Sequence, residues 1–177
     1  PQAAEQRAYI DAIEARLTPN PRRAKALEQA AEQAGHLYPA QAWPDLKLIG
    51  CWLGGSAGIQ ARQLAQFYGE GVPLRDIGYR ATEGTMTLPV TNDTPAGPLA
   101  CASNFYEFIP VDNIDDDDPP VLLADEIKEG ERYYILITNQ AGLCRYDIND
   151  VVEVQGFWRN APLIAFIQKG RDMVSIT

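Results

Sequence analysis

Apolar residues recur at helical spacing over residues 3–17, where Tyr9, Ile10, Ile13 and Leu17 share one stripe. A second helical pattern starts after Asn20, a suitable capping side chain, with Pro21 in the first helical position. It runs to about Gln33 on a small apolar face of Ala24, Leu27, Ala31 and Ala34, and Gly35 closes it. The period then changes. Leu46–Leu53 is nearly continuous apolar sequence with Lys47 as its only charge, which predicts a buried strand. Gly54-Gly55-Ser56-Ala57-Gly58 follows. Helical spacing returns from about Ala57 to Tyr68, through Ala57, Ala61, Leu64, Ala65 and Tyr68, and ends at Gly69 and Gly71. Pro73 leads into Arg75-Asp76-Ile77-Gly78-Tyr79-Arg80-Ala81-Thr82-Glu83-Gly84, read as a short strand running into a turn. Strand, glycine-rich turn, helix and strand make a βαβ unit. Open α/β sheets hold ligands beyond the carboxyl ends of their strands, so the 54–56 and 79–83 turns are expected to face one crevice.

Beyond Thr94-Pro95-Ala96-Gly97 the pattern becomes that of strands. Leu99–Ile109 carries Phe105, Tyr106 and Phe108, and Arg132–Thr138, Val151–Val154 and Leu163–Ile167 are rich in β-branched and aromatic residues. They predict an antiparallel sheet or small barrel. Asp115–Asp118 before Pro119-Pro120 reads as a solvated loop without the spacing of an EF-hand. The expected fold is therefore α/β: a βαβ unit with flanking helices over residues 1–95, then a β-rich part over 96–177.

With 177 residues, 46% apolar and 22% charged, the chain has the composition of a globular protein able to bury a core. A net charge of -9 argues against nucleic acid or an anionic membrane as partner. Any nucleotide bound here needs backbone amides and a metal to supply positive field. Cys51, Cys101 and Cys144 lack metal-ligand spacing. Cys51 and Cys101 lie in apolar runs and read as reduced core residues, which suits a cytoplasmic protein. Neither a membrane-spanning run nor a signal peptide is visible. Both ends read as cut: the chain opens inside a helical pattern and closes straight after a strand, as expected of a piece of a longer protein.

Two chemistries compete for the glycine-rich turn. Gly54-Gly55-Ser56-Ala57-Gly58 matches G-x-S-x-G between strand and helix, the setting of a hydrolase nucleophile with Ser56 as the candidate. That fold places its acid and histidine after the serine, whereas the only histidine, His36, precedes it in what reads as a surface loop. The other reading is backbone work: glycines allow close approach, amides at a helix start favour anions, and Ser56 caps the helix. The 79–83 turn presents an aromatic ring, a hydroxyl and a carboxylate, suited to stacking a base, bonding a phosphate oxygen and holding Mg²⁺. Asp150 reads as a strand-start carboxylate paired with Arg145, or as an acceptor for a ribose diol. Arg171 follows the last strand, in Gly170-Arg171-Asp172.

Taken in order, Gly54-Gly55-Ser56, Tyr79-x-x-Thr82-Glu83, Arg145-Tyr146-x-x-x-Asp150 and Gly170-Arg171 resemble the adenylate-forming superfamily of acyl-CoA synthetases and luciferases. Within it the chain is most similar to the auxin-responsive acyl-acid amido synthetases. Asn20-Pro21, Trp43-Pro44, Tyr68-Gly69, Val72-Pro73-Leu74, Tyr106-Glu107-Phe108-Ile109-Pro110 and Ala141-Gly142-Leu143 extend the likeness over nearly the whole chain. The resemblance implies part of the N-terminal domain of an enzyme that activates a carboxylic acid with ATP and Mg²⁺ as an acyl-adenylate, then transfers it to an amine or amino acid. It implies that Gly54, Gly55 and Ser56 line the adenine and acyl pocket, that Tyr79 stacks on adenine, and that Thr82 bonds the α-phosphate. Glu83 would ligate Mg²⁺, Asp150 would hold the ribose hydroxyls, and Arg171 would lie near the ribose at the hinge to a C-terminal domain. On this likeness a Ser/Thr/Gly-rich phosphate loop would precede Pro1 and that C-terminal domain would follow Thr177, so the isolated piece is expected to be inactive.

The chain also departs from the family pattern. Arg80 is long and charged where small residues are usual, and Asp147 and Asn149 stand where an Arg and a Gly are frequent. These features suggest a bacterial-type relative. Two alternatives accompany the amide ligase: an acyl-CoA ligase on the same scaffold, and a degenerate nucleotide-binding module without catalysis.

Overall fold

The structure, a computed structural model, describes residues 2–170, with residues 2–4 described by their backbone alone. It divides into two compact units, Pro1–Pro44 and Asp45–Thr177. The first contains α1 (Gln2–Glu14), α2 (Pro21–Ala34) and the short α3 (Pro39–Ala42). The α2 signals act as expected: Asn20 Oδ1 accepts from Arg23 N at 3.0 Å, Pro21 opens the helix, and Gly35 closes it at φ 79°. The α1 stripe does not become core. Tyr9, Ile10 and Ile13 are exposed, and Leu17 lies beyond the helix end and is exposed too. No described helix is long and apolar enough to cross a membrane.

The second unit begins with the βαβ arrangement. β1 (Ile49–Gly50) pairs in parallel with β2 (Leu74–Arg75). Between them lie α4 (Gly55–Ala61), a 3₁₀ turn at Arg62–Leu64 and α5 (Ala65–Tyr68). Two expectations need correction here. The 46–53 run yields a strand of only two residues and is not buried: Leu48 and Trp52 are exposed, because a single strand pair leaves faces without a covering layer. The helix starts at Gly55 rather than Ala57, so Gly54 is the N-cap and Ser56 sits inside the first turn, not at the cap.

The Arg75–Gly84 stretch leads into a small hairpin, β3 (Arg80–Ala81) against β4 (Gly84–Thr85), with Thr82 and Glu83 as its turn. Tyr79 N donates to Thr87 Oγ1 at 2.9 Å, and Thr87 is fully buried. Gly78 makes this crossing possible. Its φ is +92°, and a Cβ there would lie 2.7 Å from the Thr87 carbonyl oxygen.

The rest is a five-stranded antiparallel sheet. β5 (Gly97–Pro98), β9 (Ala161–Lys169), β8 (Tyr146–Trp158), β7 (Arg132–Thr138) and β6 (Phe105–Pro110) follow in that spatial order. The sheet is open rather than a barrel, since β5 and β6 form its two edges. The Leu99–Ile109 strand is shorter than expected: residues 101–103 form a turn before β6. Cys101 lies on that turn and is exposed, and Cys51 is only half-buried, so neither is a core residue.

β7 explains why its sequence is almost wholly apolar. Tyr133, Ile135 and Ile137 face one core with Phe108, Val152, Val154 and Ile164. Tyr134 and Leu136 face a second core with Ile109 and Val151. Both faces are covered, so the usual alternation disappears. The first core also takes in Tyr79, Met86 and Leu99, which anchors the hairpin segment to the sheet.

A bulge in β8 sets up the site. Tyr134 pairs with Val151, but Leu136 pairs with Asp147, so β8 spends extra residues at Ile148–Asp150. Asn149 takes the left-handed conformation there, at φ 57°. Asparagine is among the few non-glycine residues at ease in that region, so Asn149 suits a place where the family pattern carries glycine. At the end of the bulge, Asp150 stands directly across from Lys169 of β9.

Candidate functional site

One cavity of about 530 Å³ gathers the residues singled out in the sequence. Gly54, Ser56, Tyr79, Thr82, Glu83 and Asp150 all line it, as do Trp52, Asp76, Arg80, Phe166 and Lys169. Its volume is in the range of small-molecule sites. Gly55 is not among the lining residues. Arg171 lies outside the described residues.

Four stretches of chain build the walls. The first is the Leu53–Ser56 turn. Here the glycines serve packing: a Cβ on Gly54 would meet the Phe166 carbonyl at 3.1 Å, and one on Gly55 the Phe166 ring at 3.2 Å. The turn therefore lies directly on β9. The second is the Asp76–Tyr79 segment. Asp76 is buried, and its Oδ2 accepts from Leu53 N while Oδ1 accepts from Gly78 N, each at 2.6 Å. One carboxylate thus ties the glycine turn to the strand leading into the hairpin. The Asp76 charge and partial burial push the Cys51 thiol up, burial contributing more, which keeps that sulfur protonated.

The third wall is the hairpin tip. Thr82 Oγ1 donates to Glu83 Oε2 at 2.9 Å. The Glu83 carboxyl is held below the usual carboxylate range, first by a backbone N–H, then by the Thr82 hydroxyl, with help from the Lys169 charge. Asn139 Nδ2 donates to the Glu83 carbonyl at 2.8 Å, while its Oδ1 accepts from Ala141 N at 3.0 Å. The tip is therefore pinned to the β7–β8 turn.

The fourth wall comes from β8 and β9. Asp150 is 3% exposed. Its Oδ2 accepts from the Tyr79 hydroxyl at 2.6 Å, and Lys169 Nζ lies 2.6 Å from Oδ1. That ion pair lacks the direction of a hydrogen bond, and Oδ1 has no aligned donor among the described residues. Lys169 gives its directed bond to the Ile148 carbonyl at 3.1 Å. Arg145, the partner expected for Asp150, instead pairs with Glu107 at 3.2 Å. The bulge explains this, because it moves Asp150 off the turn and opposite β9. Tyr79 is 8% exposed, and its ring centroid lies 5.5 Å from that of Phe166. Burial and the Asp150 charge drive its phenol far above the ordinary range, so the hydroxyl is a neutral donor.

The cavity thus holds three carboxylates, Asp76, Glu83 and Asp150, and two cations, Arg80 and Lys169. No cluster of three or more His, Cys, Asp or Glu side chains among the described residues could hold a metal by itself. Glu83 alone at the rim is a donor set suited to Mg²⁺, which takes one or two carboxylates and fills its sphere with water and substrate phosphates.

Sequence reasoning missed Asp76, Asn139, Phe166 and Lys169. Asp76 was readable in part, since Asp-x-Gly is the signature of an Asx turn. The others depend on strand register and carry no local signal.

Two domain models of one family match the chain in tandem: the GH3 family N-terminal domain over residues 4–74 and the GH3 family central domain over residues 97–169. The chain belongs to the GH3 family. A jasmonoyl–L-amino acid synthetase, JAR4, of Nicotiana attenuata is 29% identical over 167 residues, covering 90% of this chain and 29% of that protein. The indole-3-acetic acid-amido synthetase GH3.10 of Arabidopsis thaliana is 30% identical over 185 residues, covering 93% of this chain and 31% of that protein. Among solved structures, the GH3.15 acyl acid amido synthetase in complex with 2,4-DB superposes with a TM-score of 0.70 at 26% identity, over 90% of this chain and 28% of that one. The chain therefore spans less than a third of the length of these relatives.

Proposed function

We propose that this chain carries the nucleotide-facing part of an ATP-dependent acyl-acid amido synthetase. The observation that supports it is the convergence of Gly54 and Ser56, Tyr79, Thr82-Glu83 and Asp150, from separate stretches of the chain, on one cavity. In this reading a substrate carboxylate oxygen attacks the α-phosphorus of ATP, and the bond to pyrophosphate breaks. The amine nitrogen of the acceptor then attacks the acyl carbon, and AMP departs with the bonding pair. Thr82 donates to an α-phosphate oxygen where charge accumulates. Glu83, ionised at the rim, would hold Mg²⁺, which would supply positive charge beside the phosphates. Asp150 receives the ribose hydroxyls, and Tyr79 with Phe166 forms the aromatic wall beside the base. One relative is named a jasmonoyl–L-amino acid synthetase and another an indole-3-acetic acid-amido synthetase, which favours a small carboxylic acid as donor and an amine such as an amino acid as acceptor.

ATP–pyrophosphate exchange by the full-length protein with a panel of carboxylic acids tests this. Exchange dependent on one acid class, and lost in Glu83→Ala and Asp150→Ala, is the expected result. Exchange unaffected by both substitutions would remove the site assignment. Product mass spectrometry with amino acids against coenzyme A identifies the acceptor.

A further inference from the structure

Asp150 is nearly enclosed, yet among the described residues none gives one of its oxygens an aligned hydrogen bond. A carboxylate in that setting needs counter-charge and further donors to remain a good acceptor. Tyr79 supplies one neutral donor to Oδ2. Among the described residues, the only cation paired with Asp150 is Lys169, at 2.6 Å from Oδ1. Lys169 is held in place twice over: its backbone pairs across the sheet with Asp150, and its ammonium bonds the Ile148 carbonyl of the bulge. Its side chain remains 44% exposed and lines the cavity, so the flexible stem can make room for a ligand without leaving the carboxylate.

From this we infer that Lys169 is a positioning residue for Asp150: its ammonium supplies the carboxylate's counter-charge and fixes Oδ1 to share its remaining lone pair with a ligand hydroxyl. The inference rests on the reading that Asp150 meets the diol of a nucleotide. Lys169 acts through Asp150 and need not touch the reacting atoms.

The test is isothermal titration of the full-length protein with Mg-ATP and with Mg-2′,3′-dideoxy-ATP. Wild type is expected to prefer ATP. Lys169→Met should weaken ATP roughly tenfold, the scale of one charge-assisted hydrogen bond, and leave the dideoxy nucleotide nearly unchanged. Lys169→Arg, which keeps the charge, should recover most of the preference for the diol. Adding Lys169→Met to Asp150→Asn should cost little more than Asp150→Asn alone. Equal loss for both nucleotides, no loss for either, tighter binding by Lys169→Met, or an arginine variant as impaired as the methionine one would each overturn the inference. If Lys169→Met does not keep the wild-type circular dichroism spectrum, the arginine variant decides alone. A wild-type protein that binds neither nucleotide refutes the proposed function itself, and the role of Lys169 falls with it. That result is distinct from a wild type that reads the diol without help from Lys169.

Discussion

The two sides of the cavity are held by different forces. On the sheet side, Asp150, Phe166 and Lys169 ride on β8 and β9, whose Val152, Val154 and Ile164 share one core with Phe108, all at 0% exposure. On the turn side, the Leu53–Ser56 and Tyr79–Glu83 segments adjoin strands of only two residues and lean on polar side chains: buried Asp76 and Thr87, and half-buried Asn139. Apolar packing is spread over many contacts, whereas a hydrogen-bonded turn hangs on one or two. Loss of stability and loss of the site should therefore separate between the two sides.

The largest effect on stability is expected on the sheet side. Phe108→Ala empties a fully buried position beside Tyr133, and Phe→Ala in such a core costs about 3–5 kcal/mol. Phe108 does not line the cavity, so nucleotide affinity well below the melting temperature should stay near wild type. Denaturant unfolding and calorimetric titration of the same variant check both halves. If affinity falls together with stability, the two sides are not separable.

Asp76→Ala should behave in the opposite way. It removes the acceptor for Leu53 N and Gly78 N and leaves two backbone donors without their partner. About 2–4 kcal/mol of stability is expected to be lost, and nucleotide affinity should fall more than in Phe108→Ala despite the smaller stability change. Asp76→Asn keeps one acceptor oxygen and should lie between the two. Asn139→Ala comes next, at about 1–2 kcal/mol, because it releases the Glu83 carbonyl and the Ala141 amide in a half-exposed turn. Hydrogen exchange should show faster opening at residues 82–84 in that variant, with β7 and β8 unchanged.

The same division explains what could be read in advance. The cap of α2 was legible because Asn20, Pro21 and Gly35 act within one turn of chain. β7 was legible because both of its faces are buried and the apolar run is long. The 46–53 run shares that signature but pairs only at Ile49 and Gly50, and composition does not reveal how many neighbours a strand will have. At the site, Tyr79, Thr82, Glu83 and Asp150 were legible as motif positions. Their supports were not. The Asp150–Lys169 pair exists only after a bulge shifts β8, and nothing local in Arg145–Asp150 announces which strand that carboxylate will face. The marker of the bulge, Asn149 at φ 57°, stood in the sequence as an unexplained departure.

The smallest expected effect is electrostatic and sits on the turn side. Glu83 is held ionised by a backbone N–H, then by the Thr82 hydroxyl, and weakly by Lys169. Its folded carboxyl value lies below the unfolded one. Its contribution to stability is therefore present above the unfolded value and is lost as pH falls through the folded one. Thr82→Val removes the hydroxyl and leaves the backbone bond. The Glu83 titration, followed by carbon NMR of the side-chain carboxyl, should move up toward the ordinary carboxylate range without reaching it. Lys169→Met should move it the same way by less, since that charge is the weaker influence. Because Glu83 is partly exposed at the rim, added salt should erase more of the Lys169 effect than of the Thr82 effect. A Glu83 titration that ignores Thr82→Val but follows Lys169→Met would mean that the turn's local hydrogen bond is not what fixes the charge at the rim, and that this wall, like the opposite one, takes its electrostatics from the sheet.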